Sequence, residues 1–236
     1  MSETLLVELF TEELPPKALR RLGEAFAESL RDGLARREFL DEGSTLALYA
    51  TPRRLAARIS RVRERSPDKS FEEKLVPAKV GLDADGKPTA ALLKKLAALG
   101  LAATAAQDVR AVSDGKIDML YLSRVAAGQA LAAGLQAPLE EAIDRLPIPK
   151  VMSYQLADGL TSVKFVRPAH GLVALHGGNV VTVSELGLEA GRRTHGHRFL
   201  GQADVDLAHA DEYEARLRDP GRVVADFDAR RANIET

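Results

Sequence analysis

The chain has 236 residues, of which 45% are hydrophobic and 28% charged, so it is long enough to bury a core without covalent staples. It contains no Cys, which excludes disulfides and Cys-based zinc sites and fits a reducing compartment. A net charge of −1 excludes a uniformly basic nucleic-acid-binding module. The N-terminus has no basic leader and no apolar run of about 20 residues, so we expect a cytoplasmic protein outside the membrane.

The first part of the chain predicts a strand, a helix and two further strands. A mostly apolar run at residues 4–10 indicates a strand buried on both faces. Thr11 offers a helix-capping oxygen, so a helix is expected over residues 15–37. Residues 45–50 and 55–62 are expected to form two strands joined at a proline bend. The apolar residues of the helix form one stripe: Leu19, Leu22, Phe26, Leu30 and Leu34.

The middle of the chain follows a Pro- and charge-rich stretch. Residues 89–99 are rich in Ala and Leu and predict a helix that ends at Gly100. Residues 109–113 and 117–126 flank Asp114-Gly115, a residue pair that is common in hairpin turns. We therefore expect an antiparallel hairpin here.

The last part predicts helices around a second hairpin. Residues 129–146 are expected to form a helix that two prolines end. Residues 172–176 and 180–186 flank a Gly-Gly pair and predict a hairpin. Residues 209–218 and 221–234 are expected to form two helices on either side of Asp-Pro.

These elements together predict an α+β fold of mixed, largely antiparallel sheets with packed helices. Residues 1–207 are expected to form an N-terminal α/β domain, with sub-domain breaks near residues 66–88 and 147–160. Residues 208–236 are expected to be a helical segment that leads into the remainder of a longer protein.

Arginines are concentrated in and after the third predicted strand. Between residues 53 and 65 there are six arginines and one acid, Glu64. Guanidinium groups stay charged and can fork onto phosphate oxygens, so this segment is a candidate phosphate contact. The alternative is a solvated strand face paired with nearby acids. The arginines are Arg53, Arg54, Arg58, Arg61, Arg63 and Arg65.

A second basic region combines residues 165–171 with residues 191–201. It contains a proline, several glycines and Arg167, Arg192, Arg193 and Arg198. Such loops can present cations to an anion, or they can form tight turns whose arginines satisfy buried carbonyls. Both interpretations remain open from the sequence.

Residues for catalysis or metal binding do not form a recognisable pattern. The histidines lie in the last third, and His195 and His197 could share one strand face, but ligand spacings typical of metal sites are missing, so no metal is predicted. Glu12 and Glu13 are adjacent and diverge, which favours a helix-start role over an acid and base pair. No nucleophile motif or phosphate-binding glycine loop is present, so no catalytic residue and no ATP site are predicted.

Five short segments recur in one order that resembles a known family. They are TEELPPK (11–17), TPRRLA (51–56), LPIPKVM (146–152), FVRPAH (165–170) and GHRF (196–199). The chain resembles, over nearly its whole length, the N-terminal part of the β subunit of bacterial glycyl-tRNA synthetase, the type built from two α and two β chains. It departs from the family pattern at Ser153-Tyr154-Gln155, usually Arg-Trp-Gly, and at His195, usually Arg.

The resemblance implies a function for the whole enzyme and a supporting role for this chain. In that family the α subunit activates glycine with ATP and Mg, and the β subunit supplies tRNA recognition. The expected partners are the α subunit, a second β subunit and glycine tRNA, with no cofactor held by this part itself. The fold is expected to be similar to the editing-type domain of the phenylalanyl-tRNA synthetase β subunit.

Three roles follow from these patterns. The first is phosphate contact with tRNA by six cations in or beside the matched segments. The second is an editing hydrolase pocket lined by His170, His195 and His197. The third is subunit assembly, in which the stripe of the 15–37 helix or a sheet edge meets another chain. The six predicted phosphate contacts are Arg53, Arg54, Lys150, Arg167, Arg193 and Arg198.

Overall fold

The structure, a computed structural model, describes residues 1–113, 115, 117–156 and 159–235. The chain divides into two compact units. The large unit comprises Met1–Ser66 with Gln129–Thr236, and the small unit comprises Pro67–Gly128.

The described residues form antiparallel sheets with packed helices, so the predicted α+β class is confirmed. The strands are β1 (Ser2–Thr11), β2 (Leu46–Thr51), β3 (Arg54–Arg63), β4 (Lys69–Pro77), β5 (Val109–Ser113), β6 (Asp118–Ala126), β7 (Met152–Gln155), β8 (Ser162–Phe165), β9 (Ala169–His176), β10 (Asn179–Val180), β11 (Ser184–Glu185), β12 (Leu188–Glu189), β13 (Arg193–His195) and β14 (Asp204–Asp206). The helices are α1 (Leu19–Arg36), α2 (Ala78–Gly81), α3 (Ala90–Ala98), α4 (Leu131–Asp144), α5 (Tyr213–Arg218) and α6 (Phe227–Glu235), with 3-10 turns at Ala103–Asp108 and Ala210–Glu212.

The large unit is built on a five-stranded sheet in the order β10, β9, β1, β3, β2. The central strand β1 pairs antiparallel with both β3 and β9 and is buried along most of its length, as predicted. Alternate residues point to opposite faces of a strand, so β1 contributes to two cores. Leu5 and Val7 join the helices α1 and α4, whereas Leu6 joins the core around α5.

The predicted helix stripe is confirmed, because all five of its apolar residues are buried in the first of these cores. The helix begins at Leu19 rather than near residue 15, and its N-cap residue Ala18 makes no side-chain cap. The predicted capping role of Thr11 is wrong, since Thr11 ends β1 and its N–H donates to the Arg53 carbonyl at 2.8 Å. Residues that precede proline disfavour helical backbone, which delays the helix beyond Pro16.

The small unit has its own sheet, in the order β4, β6, β5, and its own core of leucines. The predicted helix here is α3, whose N-cap Thr89 accepts a hydrogen bond from the Leu92 N–H and whose end is followed by Gly100 at φ +71°. The predicted hairpin is confirmed by the pairing of β5 with β6. Asp114 of its predicted turn lies outside the described residues.

The last part of the large unit differs in detail from the predicted elements. The predicted strand at residues 180–186 is divided into β10 and β11, and β11 pairs with β12 instead of continuing the hairpin. The last helix begins at Phe227 rather than at residue 221, because the intervening extended segment packs Val223 and Ala225 against the core around α5. Among the described residues, no helix is long and apolar enough to cross a membrane.

Candidate functional site

A cavity of about 460 Å³ opens in the large unit at one end of the central sheet. The walls come from the end of β1, the β2–β3 turn at residues 51–54, the loop at residues 196–199 and the segment at residues 222–224. Three segments that are distant in sequence, TEELPPK, TPRRLA and GHRF, therefore meet around one space. The register of the sheet explains this convergence, because Phe10 at the end of β1 pairs with Arg54 at the start of β3.

The charged residues that line this cavity are mostly positive, beside an apolar part formed by residues such as Phe10, Val223 and Val224. The lining contains two carboxylates, Glu12 and Glu13, against five arginines. We call this cavity the arginine cleft. Its arginines are Arg53, Arg54, Arg198, Arg222 and Arg230.

The five arginines differ in how many hydrogen bonds and ion pairs they make within the protein. Arg198 and Arg222 are exposed, and within the described part of the chain Arg222 has one distant ion pair, 4.0 Å from Asp219. Arg230 donates to the carbonyls of Ala50 at 2.8 Å and Val224 at 3.1 Å, and partial burial lowers its pKa. Arg198 and Arg222 are thus the cations of the cleft that are most available to a ligand.

Arg53 is half-buried, and one of its N–H donors has no partner among the described residues. Its Nη2 lies 3.4 Å from Glu12 Oε1, and its guanidinium carbon lies 4.9 Å from the centroid of the Phe10 ring. Its Nε is buried and has no hydrogen-bond partner among the described residues. The Glu12 contact also corrects the predicted helix-start role of Glu12, which lies ahead of the helix and binds Arg53 and His170 instead.

Arg54 is buried, with 2% of its surface exposed, and the structure corrects its prediction as a phosphate contact. Its Nη1 lies 3.5 Å from Glu8 Oε2, and its Nη2 donates to the His195 carbonyl. A phosphate cannot reach a guanidinium that is enclosed and paired in this way. Arg54 therefore stabilises the fold at the base of the cleft.

Glu8 is the centre of this buried polar group, which we call the Glu8 network: Glu8, Arg54, Thr194 and Tyr213. The hydroxyls of Thr194 and Tyr213 donate to the two carboxylate oxygens of Glu8. Burial, together with the nearby Glu8 charge, raises the pKa of Tyr213 well above its usual range. Sequence reasoning missed this network, although a lone glutamate within the apolar run LLVELF is a signal for it.

The other predicted phosphate contacts lie outside the arginine cleft. Lys150 is exposed in the turn before β7. Arg167 donates from Nε to the Glu13 carbonyl at 3.0 Å and so holds the connection that follows β1. Arg193 pairs with Asp206 at 3.0 Å and lowers the pKa of that carboxyl by hydrogen bonding. Of the six, only Arg53, Arg54 and Arg198 line the cleft.

The three histidines of the editing hypothesis do not share one pocket. His170 and His195 line a second depression, where His170 Nε2 lies 3.1 Å from Glu12 Oε1 and His195 Nδ1 lies 3.0 Å from Asp204 Oδ1. His197 lines the arginine cleft. The predicted common strand face for His195 and His197 is wrong, because β13 ends at His195. The described residues contain no cluster of three or more metal-ligating side chains.

The fold and the cleft define an α+β protein with an arginine-lined cavity, and the described residues contain no metal-ligating cluster. A family model described as glycyl-tRNA synthetase beta subunit matches residues 5–236. The chain therefore belongs to the glycyl-tRNA synthetase beta subunit family, as the five segments predict.

Individual relatives agree with this assignment. Over 238 residues, the chain is 55% identical to the glycine–tRNA ligase beta subunit of Dechloromonas aromatica (strain RCB), covering 99% of this chain and 33% of that protein. Over 231 residues it is 55% identical to the corresponding subunit of Thiobacillus denitrificans (strain ATCC 25259 / T1), covering 98% of this chain and 33% of that protein. The chain thus spans about a third of the length of the curated relatives it matches.

Proposed function

We propose that the chain serves as the N-terminal part of a glycine–tRNA ligase β subunit and contacts tRNA phosphates through the arginine cleft. In this proposal the site that uses glycine, ATP and Mg lies on the α subunit. The partners are the α subunit, a second β subunit and glycine tRNA, and the assembly works in the cytoplasm. The family membership and the cleft support the proposal together.

The charge of the cleft is the observation that carries the proposal. Since Arg54 is paired with the buried Glu8, four arginines against two glutamates leave a local positive excess on a chain whose net charge is −1. Screening at physiological salt limits the reach of exposed charges to about 8 Å, so a local cluster matters more to a bound phosphate than the net charge. Arg198 and Arg222 are exposed on the rim and can fork onto phosphate oxygens.

The two other hypotheses have less support. The helix stripe expected to meet another subunit is buried within the large unit itself, so that form of the assembly hypothesis is corrected. An editing pocket needs His170, His195 and His197 around one substrate, and the structure places His197 in a different cavity from the other two. No specific observation favours either role over tRNA contact.

Titration of labelled glycine tRNA with this chain at two salt concentrations tests the proposal. We expect Arg198→Ala with Arg222→Ala to weaken binding and to reduce the slope of log K against log salt by about one if the two arginines share a phosphate and by about two if each holds its own, since each neutralised phosphate contributes about 0.9. The matched control replaces two exposed arginines away from the cleft, Arg31→Ala with Arg145→Ala.

Three results would contradict the proposal. They are absence of wild-type binding at either salt, an unchanged slope in the cleft variant, and an equal loss in the control variant. A non-cognate tRNA measured in parallel separates a general phosphate contact from a preference for the glycine tRNA.

A further inference from the structure

The loop at residues 196–201 exposes two large apolar side chains beside the arginine cleft. Phe199 is 83% exposed and Leu200 is 73% exposed. Phe199 lines the cavity together with the cations Arg198 and Arg222 and the apolar residues Phe10, Val223 and Val224. Two adjacent exposed apolar side chains beside exposed cations form a candidate contact surface.

The loop that carries Phe199 is held in place by hydrogen bonds. The backbone N–H groups of Phe199 and Leu200 both donate to His197 Nδ1 at 3.2 Å. The His197 N–H donates to the Gly221 carbonyl at 2.7 Å, and the Gly201 N–H donates to the His197 carbonyl at 3.1 Å. Phe199 is therefore exposed on an ordered turn, so little conformational entropy of the loop would be lost when the ring binds a ligand.

The size and chemistry of the cleft fit one unit of a nucleic acid. Its volume of about 460 Å³ lies in the range of sites that enclose a small-molecule group. Proteins that bind single-stranded nucleic acid stack bases on aromatic rings and track the backbone with cations. Inside a duplex both faces of each base are covered by its neighbours, so away from the duplex ends an exposed ring can stack fully only on an unpaired base.

We infer that the arginine cleft accepts an unpaired nucleotide of RNA, with its base stacked on Phe199 and its phosphate held by Arg198 and Arg222. The inference rests on the proposed function and narrows it from phosphate contact in general to a single-stranded segment. Arg53, whose Nη2 lies 3.4 Å from Glu12 Oε1, also lines the cleft and adds a third cation.

The absence of Trp from the sequence gives a direct test, because Phe199→Trp introduces a single fluorescent reporter. This variant is titrated with a single-stranded oligoribonucleotide of about eight nucleotides and with a blunt RNA duplex of the same sequence. We expect the single strand to quench the fluorescence and the duplex to leave it nearly unchanged.

In parallel, Phe199→Leu keeps an apolar side chain without a ring and should weaken single-strand binding about tenfold, with little effect on the duplex.

The outcomes separate this inference from the proposed function. If wild-type chain binds tRNA in a salt-dependent way but Phe199→Leu binds the single strand as tightly as wild type, the inference fails and phosphate contact stands. If wild-type chain binds no RNA, both fail. If Phe199→Leu instead loses only its retention by purified α subunit, the ring is part of a protein contact and the inference is overturned. Phe199 is exposed, so unfolding midpoints should stay unchanged in all variants.

Discussion

Arg53 and Arg54 are neighbours in sequence and belong to two contrasting regions of the molecule. Arg54 starts β3 and points into the Glu8 network, where its side chain is 2% exposed. Arg53 lies in the turn before β3 and faces the arginine cleft, half-buried beside Glu12. The difference shows that two adjacent arginines of one motif can differ in burial, because the pairing of the strand decides which side chain is enclosed and which one meets water.

The two regions also differ in what their charges contribute. In the Glu8 network, removal of one partner leaves a charge buried without compensation, which is strongly destabilising. In the cleft, the exposed arginines gain little from ion pairs in water and remain available to an anion. Stability measurements should therefore be sensitive to the first region, and binding measurements to the second.

The largest expected effect is that of Arg54→Ala on stability. Without Arg54, the buried carboxylate of Glu8 loses its opposite charge, and the free energy of unfolding should fall by about 3–5 kcal/mol. Urea denaturation measures this change. Combining Arg54→Ala with Glu8→Ala should cause less than the summed loss, because the two residues interact directly. Additive losses would show that the pair is not coupled.

The next effect should come from Gly201→Ala, in the loop that lines the arginine cleft. A Cβ at residue 201 would lie 2.2 Å from the Gly221 carbonyl oxygen, so the loop that carries Arg198 and Phe199 must move. Overpacking of this kind destabilises by about 1–3 kcal/mol. We expect lower stability and weaker RNA binding together. Gly86→Ala is a control for added bulk at an open glycine, although its φ of +75° adds backbone strain.

Alkaline pH should weaken the core that contains the Glu8 network. Burial raises the pKa of both Tyr213 and Tyr49 above the value of about 10 in unfolded chains. Above pH 10 the unfolded state therefore binds fewer protons than the folded state, and the free energy of unfolding falls as pH rises, by up to about 1.4 kcal/mol per pH unit for each tyrosine. Denaturation between pH 9 and about 11 measures the slope. Tyr213→Phe should make the fall of the unfolding free energy with pH shallower. An unchanged slope would show that Tyr213 does not cause the fall.

Arg53→Ala should have the smallest effect on stability and a measurable effect on binding. Its contacts with Glu12 and Phe10 are partly exposed, so we expect a loss below about 1 kcal/mol. The slope of log K against log salt for tRNA binding should fall by less than in the Arg198 and Arg222 double variant, because Arg53 is already paired with Glu12. A stability loss as large as that of Arg54→Ala would remove the contrast between the two arginines.

Much of the fold could be predicted from local patterns. The apolar strand β1, the stripe of α1, the capped helix α3 and the β5–β6 hairpin each have a period, cap or turn signal within the element itself. The prediction was wrong where neighbours decide the outcome: β1 extends through Thr11 by pairing with the β2–β3 turn. Likewise β4, in which four of nine residues are charged, was not predicted, because its strand state depends on pairing with β6.

The sequence by itself determined the family, through five short segments in one order, and the α+β class of the fold. Only the tertiary structure decided which basic residues share a site. It brought Arg53, Arg198 and Arg222 together, placed Arg193 against Asp206 and buried Arg54 with Glu8. The physical reason is that charge is a property of one residue, whereas exposure and pairing depend on strands and loops that are far apart in sequence.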